Sequence, residues 1–296
     1  MASRMKIQGA MTALVTPFTE DGSAVDYEAL EKLVERQIAE GINGLVPVGT
    51  TGETPTVSTE EHAKIVQTVV KVANKRVPVI AGTGSNSTDK TVETSKKAKE
   101  LGADALLVVN PYYNKPTQKG LIAHFKAVAS VGLPIVLYNI PGRCGTLMTP
   151  ATVAQLYNEC PEIVAIKEAT GNMDQASEIM SLCDIQVVSG DDSLTLPLMA
   201  MGGTGVISVL SNLSPKRVLG VTDNVLKGDF AAARKAHIEN FAVAKAMFAE
   251  VNPQPIKKAC QLAGIIPTDR MRLPMVSVEP ETAAKVEAAM KSAGLL

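Results

Sequence analysis

The sequence predicts an α/β fold, a single (β/α)8 barrel followed by a helical extension. Three observations predict it. Eight short runs rich in Val, Ile, Leu and Ala recur between Ala10 and Ser208; helical patterns of period 3.6 separate them; and polar residues gather just after the runs. Strands buried on both faces read as near-continuous apolar runs, which is the signature of a parallel sheet wrapped by its crossover helices.

The runs are Ala10 to Val15, Gly44 to Val48, Val77 to Ala81, Ala105 to Val109, Ile135 to Tyr138, Val164 to Lys167, Gln186 to Ser189 and Gly205 to Ser208. Between the first two, Asp26 precedes the apolar positions Leu30, Leu33, Val34 and Ile38, and Gly41 closes that helix. Ser58 and Glu61 form a capping box at the head of the next helix. Gly102 and Gly132 stand where the third and fourth helices should stop. Thr149-Pro150 and Ser214-Pro215 each place a capping hydroxyl before a proline at the first helical position. Eight such units fit within residues 1–229, close to the length of roughly 250 that a barrel of this kind needs. Residues 230–296 carry three more helical patterns, Phe230 to Glu250, Ile256 to Leu262 and Glu281 to Met290, and are expected to form an appendage packed on the barrel.

Composition removes several classes of function. With 29 Lys and Arg against 30 Asp and Glu, the net charge is −1 and no run of like charge could serve a nucleic acid or an anionic membrane. Aromatics are 3% of residues with no Trp, so stacking platforms are not expected. The four cysteines, Cys144, Cys160, Cys183 and Cys260, form no C-x-x-C pair and predict free thiols in a reducing compartment, with neither structural zinc nor disulfides. No apolar stretch approaches the roughly 20 residues of a membrane span, and the first strand is not read as a signal peptide, so a cytoplasmic location is expected.

In a barrel of this kind chemistry sits where the strands end. After the second run comes Gly49-Thr50-Thr51-Gly52-Glu53, after the fourth Asn110-Pro111-Tyr112-Tyr113-Asn114, and after the fifth Asn139-Ile140-Pro141-Gly142-Arg143. The sixth closes on Lys167-Glu168-Ala169-Thr170 and the seventh on Gly190-Asp191-Asp192. Lys167 is the most telling. Val164-Ala165-Ile166 leads into a lysine with no helical partner, and burial would disfavour its ammonium form and favour attack on carbonyls. The alternative is a structural pair with Glu168 or another carboxylate. Tyr138, one strand away, could pass protons or merely pack on a helix. Thr50 and Thr51 offer hydroxyls, and Arg143 a planar guanidinium suited to a carboxylate. Gly82-Thr83-Gly84 lacks the third glycine of a dinucleotide fingerprint and reads as a strand-to-helix turn. His62, His124 and His237 fall in separate helices with no triad or metal spacing, and Met199 to Met201 reads as core packing.

Taken together, Gly49-Thr50-Thr51-Gly52-Glu53, Tyr138-Asn139-Ile140-Pro141-Gly142-Arg143, Ile166-Lys167-Glu168-Ala169-Thr170-Gly171 and Ser189-Gly190-Asp191-Asp192 resemble the dihydrodipicolinate synthase family of class I pyruvate aldolases. The likeness runs from Thr12-Ala13-Leu14-Val15-Thr16-Pro17-Phe18 through the C-terminal helices. It implies a Schiff base between Lys167 and pyruvate, condensation with L-aspartate 4-semialdehyde on the diaminopimelate route to lysine, and no metal or organic cofactor. It further implies a proton relay of Tyr138, Thr50 and Tyr113, with Tyr113 reaching into a neighbouring subunit of a homotetramer built as a dimer of dimers. Thr51 would hold the pyruvate carboxylate and Arg143 that of the semialdehyde, while Gly190 and Ile207 would line the pocket through backbone groups. His62, Asn86 and Tyr112 match an allosteric lysine pocket. Lysine-inhibited members tend to carry an acidic residue at Lys90 and a histidine at Thr59, so weak or absent lysine inhibition is expected here. Cys144 stands where the family often has Thr. Relatives such as N-acetylneuraminate lyase and 2-keto-3-deoxy sugar acid aldolases would use the same lysine and tyrosine, but generally lack the arginine and often begin the first motif Gly-Ser-Thr. A non-catalytic binding protein on the same barrel is the reading from a different class.

Overall fold

The structure, a computed structural model, describes residues 4–296. The strands are β1 (Gly9–Ala13), β2 (Gly44–Val46), β3 (Ile80–Gly82), β4 (Ala105–Val109), β5 (Ile135–Asn139), β6 (Ile163–Glu168), β7 (Gln186–Ser189) and β8 (Gly205–Ser208). All are parallel, in the order β2-β1-β8-β7-β6-β5-β4-β3, and a bridge between Leu45 and Val79 joins β2 to β3 and closes the ring. The helices are α1 (Tyr27–Ala39), α2 (Thr59–Ala73), α3 (Thr88–Glu100), α4 (Gln118–Ala129), α5 (Pro141–Cys144), α6 (Pro150–Glu159), α7 (Met173–Leu182), α8 (Thr195–Ala200) and α9 (Pro215–Leu226), followed by α10 (Phe230–Ala246), α11 (Gln254–Leu262) and α12 (Pro280–Ser292). This is the (β/α)8 barrel that the alternation of patterns predicts. Among the described residues no helix is long and apolar enough to cross a membrane.

Three strands are shorter than their apolar runs, each for a backbone reason. β1 stops at Ala13 because the Val15 N–H donates to the Asn212 side chain at 3.0 Å instead of to a neighbouring strand. β2 stops at Val46 because Pro47 has no N–H and Val48 turns to φ +55°. β3 begins only at Ile80, since Pro78 lacks a donor and the Val79 N–H is taken by the Asp104 carboxylate at 2.9 Å.

Helix ends follow their sequence signals with one exception. Asp26, Ser58 and Thr149 cap α1, α2 and α6 through their side chains, and Ser58 with Glu61 completes the capping box. Ser214 occupies the cap position of α9, yet its hydroxyl makes no capping bond. Of the methionine cluster, Met199 is buried and Met201 is exposed, so only the first serves the core.

Two apolar clusters divide the interior. One lies between the strands and their helices and contains Leu45, Ala81, Leu106, Val108, Leu137, Ile166 and Val206. The other fills the barrel itself with Met11, Val46, Ile80, Leu107, Val136, Tyr138, Ala165, Val188 and Ile207. The split is the period-2 alternation of each strand, neighbours along the chain facing opposite ways. It decides which polar residues at the strand ends look into the barrel.

Candidate active site

Tyr138 follows Val136 and Lys167 follows Ala165 at a spacing of two, so both belong to the inward set of β5 and β6. Register makes them direct neighbours, and the Lys167 ammonium lies 4.4 Å from the centre of the Tyr138 ring. Lys167 is 5% exposed, and among the described residues its ammonium forms no ion pair. The structural pairing with Glu168 left open by the sequence is not made. Glu168 is the next residue along the strand and therefore faces outward, where its carboxylate accepts from the Thr170 N–H at 2.8 Å and the Asn139 amide at 3.3 Å. Burial raises the Glu168 carboxyl above its ordinary value. Burial also raises Asp191 and Asp192 beyond β7, with the Lys167 charge pulling both back down. Asp192 is held by the Ser208 hydroxyl and by the Val209 and Leu210 N–H groups, so it anchors the chain after β8.

The segment Gly49–Glu53 is a tight double turn, with Gly52 N–H donating to Gly49 carbonyl at 3.0 Å and Glu53 N–H to Thr50 carbonyl at 3.1 Å. Val48, immediately before it, takes the left-handed conformation that a β-branched residue rarely adopts. It can approach β3 there only because residue 82 is glycine: a Cβ on Gly82 would sit 2.3 Å from the Val48 carbonyl oxygen. The turn is then fastened from far along the chain. Lys257 of α11 donates to the Glu53 carboxylate at 2.7 Å, and the Arg272 N–H reaches the same carboxylate at 3.3 Å. Thr51, buried, accepts from the Asn252 side-chain amide at 3.0 Å.

A cavity of about 230 Å³ opens over these strand ends, and Thr50, Tyr112, Tyr138, Arg143 and Cys144 are in its wall. Lys167 stands beside Tyr138 on the next strand. Arg143 reaches across to donate to the Asn252 backbone carbonyl at 3.0 Å. Burial pushes the Cys144 thiol up to about 11, which keeps it protonated and unreactive near neutral pH. Ile207 is fully buried inside the barrel on β8. Gly190 follows β7 and lies against Ala169, where a Cβ would be 2.4 Å from that of Ala169, and its N–H donates to the Glu168 carbonyl at 2.8 Å.

Tyr113 is not brought to this cavity. It is 90% exposed and its backbone has φ +74°, so the loop holds the ring out into solvent. His62, Tyr112, Thr59 and Lys90 meet instead around a second cavity of about 670 Å³, which shares Tyr112 with the first. Asn86 is not in its wall; its carbonyl accepts from the Asn114 amide at 2.8 Å.

Sequence reasoning missed Asn252, Lys257 and Arg272. Lys257 carries a faint signal, since it lies beside Ile256 and Cys260 on the apolar face of α11. Asn252 and Arg272 lie in irregular segments with no periodicity to read.

The fold and the polar cluster at one end of it define a barrel lyase of the class I aldolase kind. The chain belongs to the dihydrodipicolinate synthetase family, whose family model matches residues 6–293. A 4-hydroxy-tetrahydrodipicolinate synthase of Geobacter sulfurreducens is 51% identical over 292 residues, covering 98% of this chain and 99% of its own. The crystal structure of dihydrodipicolinate synthase from Aquifex aeolicus superposes with a TM-score of 0.95 at 46% identity, covering 98% of this chain and 99% of that one. The chloride-inhibited dihydrodipicolinate synthase of Acinetobacter baumannii, complexed with pyruvate, does so with a TM-score of 0.95 at 43% identity, covering 98% and 100%.

Proposed function

We propose that this chain is a 4-hydroxy-tetrahydrodipicolinate synthase, joining pyruvate to L-aspartate 4-semialdehyde in lysine biosynthesis through diaminopimelate. The observation that carries the reading is Lys167, buried against Tyr138 with no carboxylate paired to it. An amine so placed attacks the keto carbon of pyruvate and, with loss of water, forms an iminium. The iminium then draws electrons from the methyl group, a proton leaves, and the resulting enamine bonds through that carbon to the aldehyde carbon of the second substrate.

The remaining residues take the parts that the family resemblance implies. Tyr138 and Thr50 share the cavity wall and carry protons to and from it. Thr51 holds the pyruvate carboxylate, Arg143 that of the semialdehyde, and Gly190 and Ile207 bound the pocket through their backbones. Tyr113, exposed on its own subunit, completes the relay in a neighbouring one, which makes the working form an assembly; we take it to be a homotetramer, a dimer of dimers, in the cytoplasm. The reaction uses no metal or organic cofactor.

The experiment is acceptor competition at constant pyruvate. The reading expects L-aspartate 4-semialdehyde to be consumed at least about a hundredfold more efficiently than N-acetylmannosamine or a sugar-derived aldehyde. A preference for either of the latter overturns it. Lys90 lines the second cavity at the position where lysine-inhibited relatives tend to carry an acidic residue, so we expect lysine to inhibit weakly or not at all. Half-inhibition by submillimolar lysine in the same assay contradicts that.

A further inference from the structure

Asn252 lies between α10 and α11, outside the eight strand-and-helix units, and among the described residues it is the one that hydrogen-bonds to both side chains assigned above to substrate carboxylates. We propose that it is a positioning residue: its side chain fixes Thr51 as a hydrogen-bond donor while its backbone fixes the place of Arg143. The proposal rests on the reading of the site given above and deepens it.

A threonine hydroxyl has one proton to give and two lone pairs to receive. The Asn252 amide donates to the Thr51 oxygen at 3.0 Å, which occupies a lone pair and leaves the proton for another acceptor. A carboxylate is such an acceptor. Were the partner an acceptor instead, that proton would be spent inside the protein and Thr51 would present only lone pairs, which repel an anion. The Asn252 carbonyl on the main chain receives the Arg143 guanidinium at 3.0 Å, so the planar group is held by one edge and keeps its other donors for a ligand. Asn252 is buried, and its side-chain oxygen is also buried with no donor among the described residues. An amide kept for stability alone would have both ends satisfied, because an unmatched buried acceptor costs free energy.

The test measures, on the intact enzyme, the pyruvate concentration that half-saturates borohydride trapping of Lys167, together with kcat and both KM values. Asn252→Ala is expected to raise the pyruvate half-saturation and KM by about tenfold, with kcat at saturation changed by less than about threefold. The semialdehyde KM should move little, because Arg143 bonds the backbone. Asn252→Asp, an acceptor in place of a donor and a negative charge beside a carboxylate, should raise the pyruvate values by about a hundredfold or more at pH 8. Part of that loss should return as pH falls toward 5, because burial and the neighbouring substrate carboxylate raise the new carboxyl above its ordinary range and let it take up a proton. Asn252→Ser serves as the second variant and should fall between wild type and Asn252→Ala. Pyruvate values within twofold of wild type in these variants overturn the proposal. So does a fall in kcat that tracks a lower melting temperature with no separation of the two KM values, for that is the mark of a structural residue. A wild type that traps no pyruvate overturns the reading of Lys167, and this proposal with it, before any variant is made.

Discussion

Lys257 and Lys167 are both buried, in regions with opposite solutions to the same cost. Lys257, on α11, is entirely enclosed, and its ammonium donates to the Glu53 carboxylate at 2.7 Å, to the Arg270 carbonyl at 2.6 Å and to the Thr16 carbonyl at 3.0 Å. All three of its protons are used. Burial pushes it below its ordinary pKa while Glu53 pulls it back. Lys167, in the barrel, has no hydrogen bond or ion pair among the described residues and lies over the face of Tyr138 at 4.4 Å. A satisfied buried lysine holds structure together; an unsatisfied one is left free for chemistry, at a cost borne by the rest of the fold. The two regions are joined, since the Glu53 that satisfies Lys257 belongs to the same turn as Thr50 and Thr51.

The sharpest break between the two is substitution of each by methionine. Lys167→Met should lower kcat on the order of a thousandfold or more while leaving the melting temperature equal or higher, because it removes a buried amine that nothing pairs. Lys257→Met should instead cost about 3–5 kcal/mol in denaturant unfolding, since it strands the Glu53 carboxylate in the interior. The double change Lys257→Met with Glu53→Gln should recover part of that loss. Equal effects of the two single changes on stability would erase the contrast.

A smaller effect concerns His124, buried on α4 with its Nδ1 against the Thr88 hydroxyl at 2.9 Å. Burial lowers its pKa from 6.5 to about 4. A depressed histidine is neutral in the fold but takes a proton when unfolded, so the stability is complete above pH 6.5 and declines as pH falls toward 4. The decline from this group alone is about 3 kcal/mol, and His124→Gln should flatten the curve of melting temperature against pH over that window. The smallest effect is at Cys144. Its thiol, pushed up to about 11, should be alkylated only slowly at pH 7 and faster as pH approaches that value, with little loss of activity in Cys144→Thr.

The same two regions differ in how far sequence alone reaches. All eight apolar runs became strands, because strands buried on both faces must be apolar in a row and their helices must start and stop between them. Lys167 and Tyr138 were legible for the same reason, as polar residues closing such runs. Their opposite facing to Glu168 and Asn139 was legible too, since alternation alone separates them. The ends of β1, β2 and β3 were not, for they depend on the Asn212 side chain, on Val48 turning left-handed and on the Asp104 carboxylate. Asn252, Lys257 and Arg272 were out of reach for a stronger form of that reason. Each meets its partner across some 200 residues of chain, and no local pattern encodes which turn a distant amide will fasten. Tyr113 was legible as a candidate only by likeness to relatives, because within one chain it is exposed and stands outside the cavity wall.

The most direct measurement is borohydride reduction of the enzyme in the presence of pyruvate, followed by intact mass and peptide mapping. A single reduced pyruvate adduct on the peptide carrying Lys167, and none on the peptide carrying Lys257, is the result expected of one free and one satisfied lysine. No adduct on the folded protein, or an adduct at another lysine, contradicts it.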